Sequence, residues 1–275
     1  MAFQTIDQPV RISAPSIAFL RGSRGGAARL ASRYALVLAF LVAWEAAARL
    51  GAINASIFPA PDQIAQAMWK GLTSGTLRAD IAISLQRSGA AFALAVLSGI
   101  PLGLIMGRFR AIEGALDPIL QLFRQTSALA LYPVFILIFG LGETSKVFVI
   151  FWATLFPILL ATIGGVKEVD RKLIEMARTY GASEPTIFRR VILPASVPQI
   201  FVGLRLSATT ALLLLIAAEM IGANKGLGFT VLNAQYNFEI PTMFAAIFLL
   251  AFLGLAANAL LVRLQAKLCR WSDAT

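Results

Sequence analysis

One polar stretch separates two long apolar runs in the second half of the chain: VKEVDRKLIEMARTYGASEPTIFRRVILPASVP (166–198). Within it, apolar residues recur at roughly helical spacing, which predicts a short amphipathic helix over Arg171–Tyr180. Gly181 can end this helix by adopting a left-handed backbone conformation. A second short helix is predicted over Pro185–Val191, with proline in its first turn and an end before Pro194. Short amphipathic helices between apolar runs must pack against the rest of the chain or against a partner.

The first helix has its apolar residues on one predicted face and its charged residues on others. The apolar positions are Leu173, Ile174, Ala177 and Tyr180. The sequence therefore predicts one packing face for this helix.

The composition indicates a membrane protein. Of 275 residues, 58% are hydrophobic and only 14% are charged, whereas soluble domains carry about 25% charged residues. The net charge of +10 is explained by Lys and Arg on the inner side of a membrane, so no nucleic-acid partner is expected. The chain has no His, a single Cys (Cys269) and no G-x-x-x-x-G-K-[ST] phosphate loop. We therefore expect no metal site, no catalytic residues and no cofactor bound to this chain.

Six apolar stretches predict an all-α membrane protein with six transmembrane helices. About 20 apolar residues cross the hydrocarbon layer as a helix. The stretches are Tyr34–Gly51, Ser88–Gly107, Pro118–Gly142, Val147–Val166, Ala195–Gly222 and Met243–Val262. The first is the weakest because it contains Glu45 and Arg49, which stand one helical turn apart and can form an ion pair.

The distribution of Lys and Arg predicts the orientation. With the N-terminus inside, inner segments hold 17 of the 24 Lys and Arg, whereas outer segments hold 4. Cytoplasmic segments of membrane proteins carry such an excess, so both termini and the 166–198 loop are expected on the cytoplasmic side of the cytoplasmic (inner) membrane. We predict a disordered tail over 1–33, a membrane domain over 34–271 and a short tail over 272–275.

A short amphipathic helix is predicted on the outer side, between the first two spans. The turn Phe58–Asp62 breaks the chain, and Asp62 is predicted to cap a helix over Gln63–Gly71. Its apolar face consists of Ile64, Ala67 and Met68. The pattern fits a partner-docking element and an interfacial helix without a partner equally well.

A glycine ladder lies on one face of the second predicted span, at Gly99, Gly103 and Gly107. Small residues at this spacing let helix backbones approach closely in a membrane. We expect the ladder to pack against another helix of the same chain. The alternative is a seam between two copies of the chain.

Polar residues open the third predicted span. Gln125, Thr126 and Ser127 are expected to face the bundle interior, because polar groups at membrane depth are costly unless they contact protein or water. Pro133 is expected to kink the helix near mid-membrane. The hypothesis is that this helix lines a path through the bundle. In the alternative, the hydroxyl groups bond back to their own helix and Pro133 only shapes it.

Glu219 lies near the outer end of the fifth predicted span and needs a partner if it is buried. The glycine-rich segment 222–228 follows it, so backbone N–H groups of that segment or the side chain of Lys225 are the candidate partners. We assign Glu219 to the outer mouth of the path, as a gate or anchor. Local stabilisation of the fold is an equally compatible role.

The 166–198 stretch resembles the EAA loop of binding-protein-dependent ABC transporter permeases. The family pattern is E-A-A, three residues, G, nine residues, I, one residue, then L-P. The matching residues are Glu175, Ala177, Gly181, Leu193 and Pro194, while Met176 replaces an Ala and Val191 an Ile. The resemblance implies that these seven residues couple the chain to a separate ATPase, because the family's loop carries the helix that docks on the nucleotide-binding subunit. A helical hairpin that merely caps the bundle is the alternative.

The resemblance extends over about residues 34–271 and is to the nitrate/sulfonate/taurine branch of these permeases. The segments that match this branch begin at Phe58 (FPAP), Gly99 (GIPLGL), Phe135 (FILIFGLGE), Phe156 (FPIL) and Ala218 (AEMIG). Relatives have a Pro-rich turn where this chain has Ser127-Ala-Leu129. Because that departure lies in the predicted path, no particular substrate is carried over.

This resemblance implies a type I ABC importer permease with cytoplasmic coupling helices. It implies a homodimer of this subunit, two cytoplasmic ATPase subunits that carry ATP and Mg, and a periplasmic or extracellular solute-binding protein. The implied cargo is a small anion or zwitterion of the sulfonate, taurine or nitrate type.

Two other classes compete with this interpretation. A stand-alone secondary transporter of small organic anions would need ion-coordinating or proton-relay groups at mid-membrane, usually on repeated, broken helices. Here Glu45 and Glu219 lie towards the outside, and the two halves of the sequence show no repeat. An intramembrane enzyme would need paired acids, His or metal ligands. The sequence therefore favours the permease.

Overall fold

A computed structural model of the chain describes residues 26–51, 54 and 57–269. These residues form helices joined by short loops, and no β-strand occurs among them. The helices are α1 (Gly26–Arg49), α2 (Pro61–Ser74), α3 (Thr76–Arg108), α4 (Arg110–Gln125), α5 (Ala128–Phe139), α6 (Glu143–Lys167), α7 (Arg171–Thr179), α8 (Glu184–Ile187), α9 (Leu193–Gly222), α10 (Leu227–Tyr236) and α11 (Ile240–Leu268). Most of the predicted tail 1–33 and all of the predicted tail 272–275 lie outside the described residues, but the backbone of 26–33 is helical and belongs to α1.

Helix α6 is the centre of the bundle, because α3 and α9 both pack along it. The glycine ladder of α3 makes the first contact possible. A Cβ added at Gly103 would lie 2.6 Å from Thr162 Cβ, and one at Gly107 would lie 2.7 Å from Val166 Cβ. Gly99 faces Ile158 of the same helix. The structure thus places all three glycines against α6 within one chain, where their missing side chains let the two backbones approach closely.

Four described helical segments are long and apolar enough to cross a membrane: α3, α6, the continuous segment Glu184–Gly222 and α11. A fifth is possible if α4 and α5 count as one bent span. The first predicted span lies in α1, which is not among them, although its ion pair between Glu45 and Arg49 is present at 2.5 Å. The prediction of six transmembrane helices is therefore not confirmed: the described residues contain four candidate spans, or five with the bent pair.

The third predicted span is not a single helix. Helices α4 and α5 meet at an angle of 97° around Thr126 and Ser127. Ser127 is the N-cap of α5, and its hydroxyl oxygen accepts a hydrogen bond from the N–H of Ala130 at 3.4 Å. A serine at this position starts a new helix by satisfying a free N–H group. The expected bend near Pro133 is therefore replaced by a break six residues earlier, and Pro133 lies inside α5.

Helix α2 has the apolar face that the sequence predicts. Ile64 is buried, and Ala67 and Met68 are half-buried, where the helix packs against α3 and α11. The predicted cap is wrong, because Ala60 is the N-cap and Asp62 lies in the first turn. The Asp62 carboxylate instead pairs with Arg49 at 3.2 Å.

The second short helix does not end before Pro194, as the sequence predicts. Helix α8 continues through a π-helical turn, Phe188–Ile192, directly into α9. In this turn the N–H of Leu193 donates to the carbonyl of Phe188. Proline has no N–H and clashes with the preceding helical turn. Here a single π turn inside the helix precedes Pro194, and the helix does not end.

Candidate functional site

Helix α7 is a well-defined element with a cap at each end. The Asp170 carboxylate accepts a hydrogen bond from the N–H of Lys172 at 2.9 Å, which stabilises the first turn. At the other end Gly181 has a φ of +78°, and the N–H of Ala182 donates to the carbonyl of Ala177 at 3.0 Å. This is a Schellman motif, in which glycine takes the left-handed position. The helix and its end at Gly181 are as predicted.

The inner side of α7 attaches it to the membrane bundle. Ile174 and Ala177 pack on a small apolar cluster built from the end of α6, the following loop, α8 and the π turn. Its buried members are Val166, Val169, Ile187 and Ile192. This cluster orients α7 relative to both α6 and α9.

The outer part of the apolar face of α7, called the outer stripe, is not covered by the chain. Leu173, Met176 and Tyr180 are 48%, 57% and 86% exposed, and their spacing places them on one helical face. The predicted apolar face is present, because Leu173 and Ala177 stand one helical turn apart. The chain covers only its Ile174 and Ala177 side and leaves Leu173 and Tyr180 exposed. An exposed apolar stripe on a nine-residue helix is typical of a binding surface.

The EAA-type residues separate into two groups in space. Glu175 and Met176 are exposed on α7, next to the outer stripe, while Ala177 faces the bundle. Val191 lies in the π turn, and Leu193 and Pro194 form the start of α9, all half-buried. The second half of the pattern thus forms the attachment of the loop to α9.

Glu184 links this loop to α3. Its carboxylate contacts Arg108 at the end of α3 at 2.5 Å and Arg178 of α7 at 2.8 Å. All three side chains are at least one third exposed, so each pair contributes about 0–1 kcal/mol. The triad orients α7 more than it stabilises the fold.

A buried charge cluster lies at the opposite end of α9. Glu219 is fully buried, and its carboxylate accepts hydrogen bonds from Ser84 at 2.8 Å, from Arg87 at 2.8 Å and from the N–H of Gly228 at 2.8 Å. The predicted backbone donor of the glycine-rich segment is therefore present. Lys225 is not a side-chain partner of Glu219; instead its carbonyl accepts a hydrogen bond from Arg87 at 2.7 Å.

Arg87 connects three helices through this cluster. Besides Glu219 of α9, its guanidinium makes a two-point contact with Glu143 at the start of α6, at 2.5 and 2.7 Å. Lys146, also buried, contacts the same carboxylate at 3.3 Å. Two cations thus balance two carboxylates, which is the condition for keeping charges in a protein interior.

The glycine-rich turn between α9 and α10 fits this cluster closely. Gly226 has a φ of +117°, and a Cβ there would lie 2.3 Å from the Glu219 carboxylate. The N–H of Gly226 donates to Asp80 at 2.8 Å, and Thr230 donates to the other oxygen of Asp80 at 2.7 Å. Only glycine allows both the backbone conformation and the close approach.

Sequence reasoning missed three residues of this site: Asp80, Ser84 and Arg87. They precede the predicted second span, which began at Ser88, whereas α3 begins at Thr76. Their spacing places them on one helical face. The signal that could have identified them is this row of polar residues at helical spacing, directly before the apolar run.

The residues assigned to the translocation path do not come together in the chain. Gln125, Thr126, Ser127 and Pro133 are exposed at or near the α4–α5 break, whereas Glu219 is buried among α3, α6 and α10. The expectation that the polar trio faces the interior of this bundle is wrong for the single chain. The Thr126 hydroxyl donates to the carbonyl of Leu122 at 3.1 Å, so it bonds back to its own helix.

Comparison with known proteins places these features in a family. Residues 99–270 match the family model described as "Binding-protein-dependent transport system inner membrane component". SsuC of Escherichia coli, assigned as an aliphatic sulfonates transport permease protein, is 38% identical over 87% of this chain and 91% of its own length. The taurine transport system permease protein TauC of the same organism is 35% identical over 84% of this chain and 86% of its own length.

Solved structures show the same fold. A chain of the MetNI methionine ABC transporter in an inward-facing conformation has a TM-score of 0.59 at 20% identity, with 71% of this chain and 97% of that chain covered. A chain of an amino acid ABC transporter has a TM-score of 0.57 at 17% identity, with 71% and 95% covered. On the family match and the sequence relatives together, the chain belongs to the binding-protein-dependent ABC transporter permeases, the inner membrane components of these transport systems.

Proposed function

We propose that this permease imports a small anionic or zwitterionic solute of the sulfonate, taurine or nitrate type, and that α7 couples it to a separate ATPase. Two of its relatives are named for the transport of aliphatic sulfonates and of taurine, which supports the cargo class. The observation that carries the coupling role is the outer stripe of α7, Leu173, Met176 and Tyr180. It is exposed on a helix that the adjoining residues Ile174 and Ala177 fix to the bundle.

The attachment of α7 explains how force would reach the membrane. Apolar packing on Ile187 and Ile192 joins α7 to the segment that continues into α9, and the Glu184 triad joins it to α3. A partner that binds the outer stripe and moves α7 therefore also moves the ends of α9 and α3. ATP and Mg belong to that partner, because this sequence lacks a phosphate-binding loop.

The proposed assembly is a homodimer of this subunit with two cytoplasmic ATPase subunits and a periplasmic or extracellular solute-binding protein. Closure of the ATPases draws the two α7 helices together and turns the path outward, and ATP hydrolysis resets it. Both the loaded solute-binding protein and ATP must then bind the outward state more tightly, since a ligand shifts a conformational equilibrium only through differential affinity.

The excess of Lys and Arg supports an orientation in which α7 and both termini are cytoplasmic. Arg108 and Glu184 mark the α7 end of the bundle, and Ser84, Arg87 and Glu219 mark the other end. The buried charge cluster then lies at the outer face. The exposed polar trio at the α4–α5 break is proposed to line the path between two copies of the chain.

Coupling is tested by co-purifying the permease with its ATPase and measuring ATP hydrolysis and taurine uptake in proteoliposomes. Met176→Asp introduces a charge into the outer stripe, and Gly181→Asp strains the Schellman turn, where φ is +78°. Both variants, and Glu175→Ala, are expected to lose ATPase binding or coupled uptake while inserting normally. Arg171→Gln, a change at an exposed position on the face of α7 opposite the outer stripe, is the matched control.

The proposal fails if Met176→Asp and Gly181→Asp match Arg171→Gln in complex formation, ATP turnover and uptake. In that case α7 only caps the bundle. A chain that accumulates the solute in proteoliposomes without any ATPase would instead be a stand-alone carrier.

A further inference from the structure

An open cavity of about 530 Å³ lies beside the buried charge cluster. It is bounded by α3, by the start of α6 and by the loop between α9 and α10. Its polar lining residues are Gln86, Arg87, Glu143, Lys146, Asn224 and Lys225. Small-molecule sites have volumes of roughly 300–1,000 Å³, so the cavity is large enough for a small organic solute.

One of the three cations that line this cavity has no carboxylate partner among the described residues. Arg87 and Lys146 are occupied by the carboxylates of Glu143 and Glu219. Lys225 is exposed, and its ammonium group makes no hydrogen bond or ion pair with any residue that the structure describes. The nearby Asp80 carboxylate does not line the cavity and accepts hydrogen bonds from the N–H of Gly226 and from Thr230, so the Lys225 ammonium is the cation left for an anion in the cavity.

Two amide side chains add hydrogen-bond donors. Gln86 and Asn224 are exposed at the cavity, and neither side chain is hydrogen-bonded to another described residue. Each amide offers two N–H donors and the ammonium of Lys225 offers three. Several donors around one positive charge suit an oxyanion with several acceptor oxygens, since charge-assisted hydrogen bonds are stronger than neutral ones.

We propose that this cavity binds the oxyanion group of a small solute, a sulfonate or a comparable monoanion, through Lys225, Gln86 and Asn224. The proposal rests on the proposed function, since it gives the cargo a first contact at the outer end of the permease. Arg87 does not contact the anion directly, because its own partners occupy it; with Glu143 it fixes the cavity wall.

The test measures binding of propane-1-sulfonate to the permease–ATPase complex in dodecyl maltoside, a detergent without phosphate. Binding is followed as the ligand-dependent rise of Tm, because a ligand that binds the native state stabilises it. Lys225→Gln is expected to raise the apparent Kd about five-fold, the size of one exposed charge pair. Lys70→Gln is the matched control, an exposed lysine that lines a separate cleft and is expected to bind like the wild type. Diethyl sulfone, a neutral analogue, is expected to give no rise.

Three results would overturn the assignment. The first is an equal Tm rise in wild type and Lys225→Gln, and the second is no rise with the sulfonate at all. The third is a rise of Tm that appears only when the complex is placed in nanodiscs containing phosphatidylglycerol. That result would identify a lipid headgroup as the occupant of the cavity. If the same wild-type preparation still couples ATP hydrolysis to uptake, only this inference fails and the importer function stands.

Discussion

Replacing Arg87 with methionine should be among the most damaging single changes in this chain. The substitution removes the guanidinium but keeps an unbranched apolar side chain of similar length. It leaves Glu219, which is fully buried, with only Ser84 and the N–H of Gly228 as donors. Removing one partner of a buried ion pair costs about 3–5 kcal/mol. The Glu143 side of the contact adds little, since that side chain is 62% exposed and such pairs contribute about 0–1 kcal/mol.

Unfolding of the purified chain in mixed micelles, followed by the fluorescence of its four Trp residues, measures this cost. The matched control is Arg108→Met, which breaks a single contact with Glu184 at the exposed end of the same helix and should cost about 0–1 kcal/mol. The double variant Arg87→Met with Glu219→Gln should recover about 1–3 kcal/mol of the loss, because the unpaired charge is gone. If Arg87→Met costs no more than Arg108→Met, or if the double variant loses the sum of both single costs, burial does not determine the energetics of this cluster.

Two further predictions concern packing and the path. Gly103→Ala places a Cβ 2.6 Å from Thr162 Cβ and 2.9 Å from a backbone carbonyl of α6, so it should lower the free energy of unfolding by about 1–3 kcal/mol. In the same helix Gly89→Ala meets no atom within 4 Å and should be neutral or stabilising, and equal effects of the two changes would contradict the close packing of α3 on α6. Thr126→Trp should block taurine uptake into proteoliposomes if the α4–α5 break lines the path, whereas Thr126→Val keeps the size of the side chain and should transport normally; uptake by Thr126→Trp at the wild-type rate would remove this residue from the path.

Local features were predictable because their causes lie within a few residues. The Schellman end of α7 follows from Gly181 and its position after a run of helical spacing, and the inner face of α2 follows from Ile64, Ala67 and Met68. The proline in the first turn of α8, Pro185, was identified for the same reason. Each of these signals acts through neighbours in the sequence, so composition and spacing were sufficient.

Features that depend on distant contacts were not predictable in the same way. Arg87 and Glu219 are far apart in sequence and meet only because α3 and α9 both pack on α6. Hydropathy also placed the start of the second span at Ser88 and so excluded the polar turns of α3. The break at Ser127 was hidden because apolar residues continue on both sides of it. The exposed stripe of α7 needed the structure, because the sequence alone does not show which apolar residues are covered by α8 and the π turn.

The π turn at Phe188–Ile192 has a mechanical consequence. Because it joins α8 to α9 without interruption, Glu184–Gly222 is one helical rod, about 58 Å long at 1.5 Å per residue. Glu184 lies at one end of this continuous helix and Glu219 near the other, so the same helix joins the two ion clusters. If Glu184 is displaced, either the helix deforms at the π turn, where its hydrogen-bond pattern is irregular, or the displacement reaches Glu219.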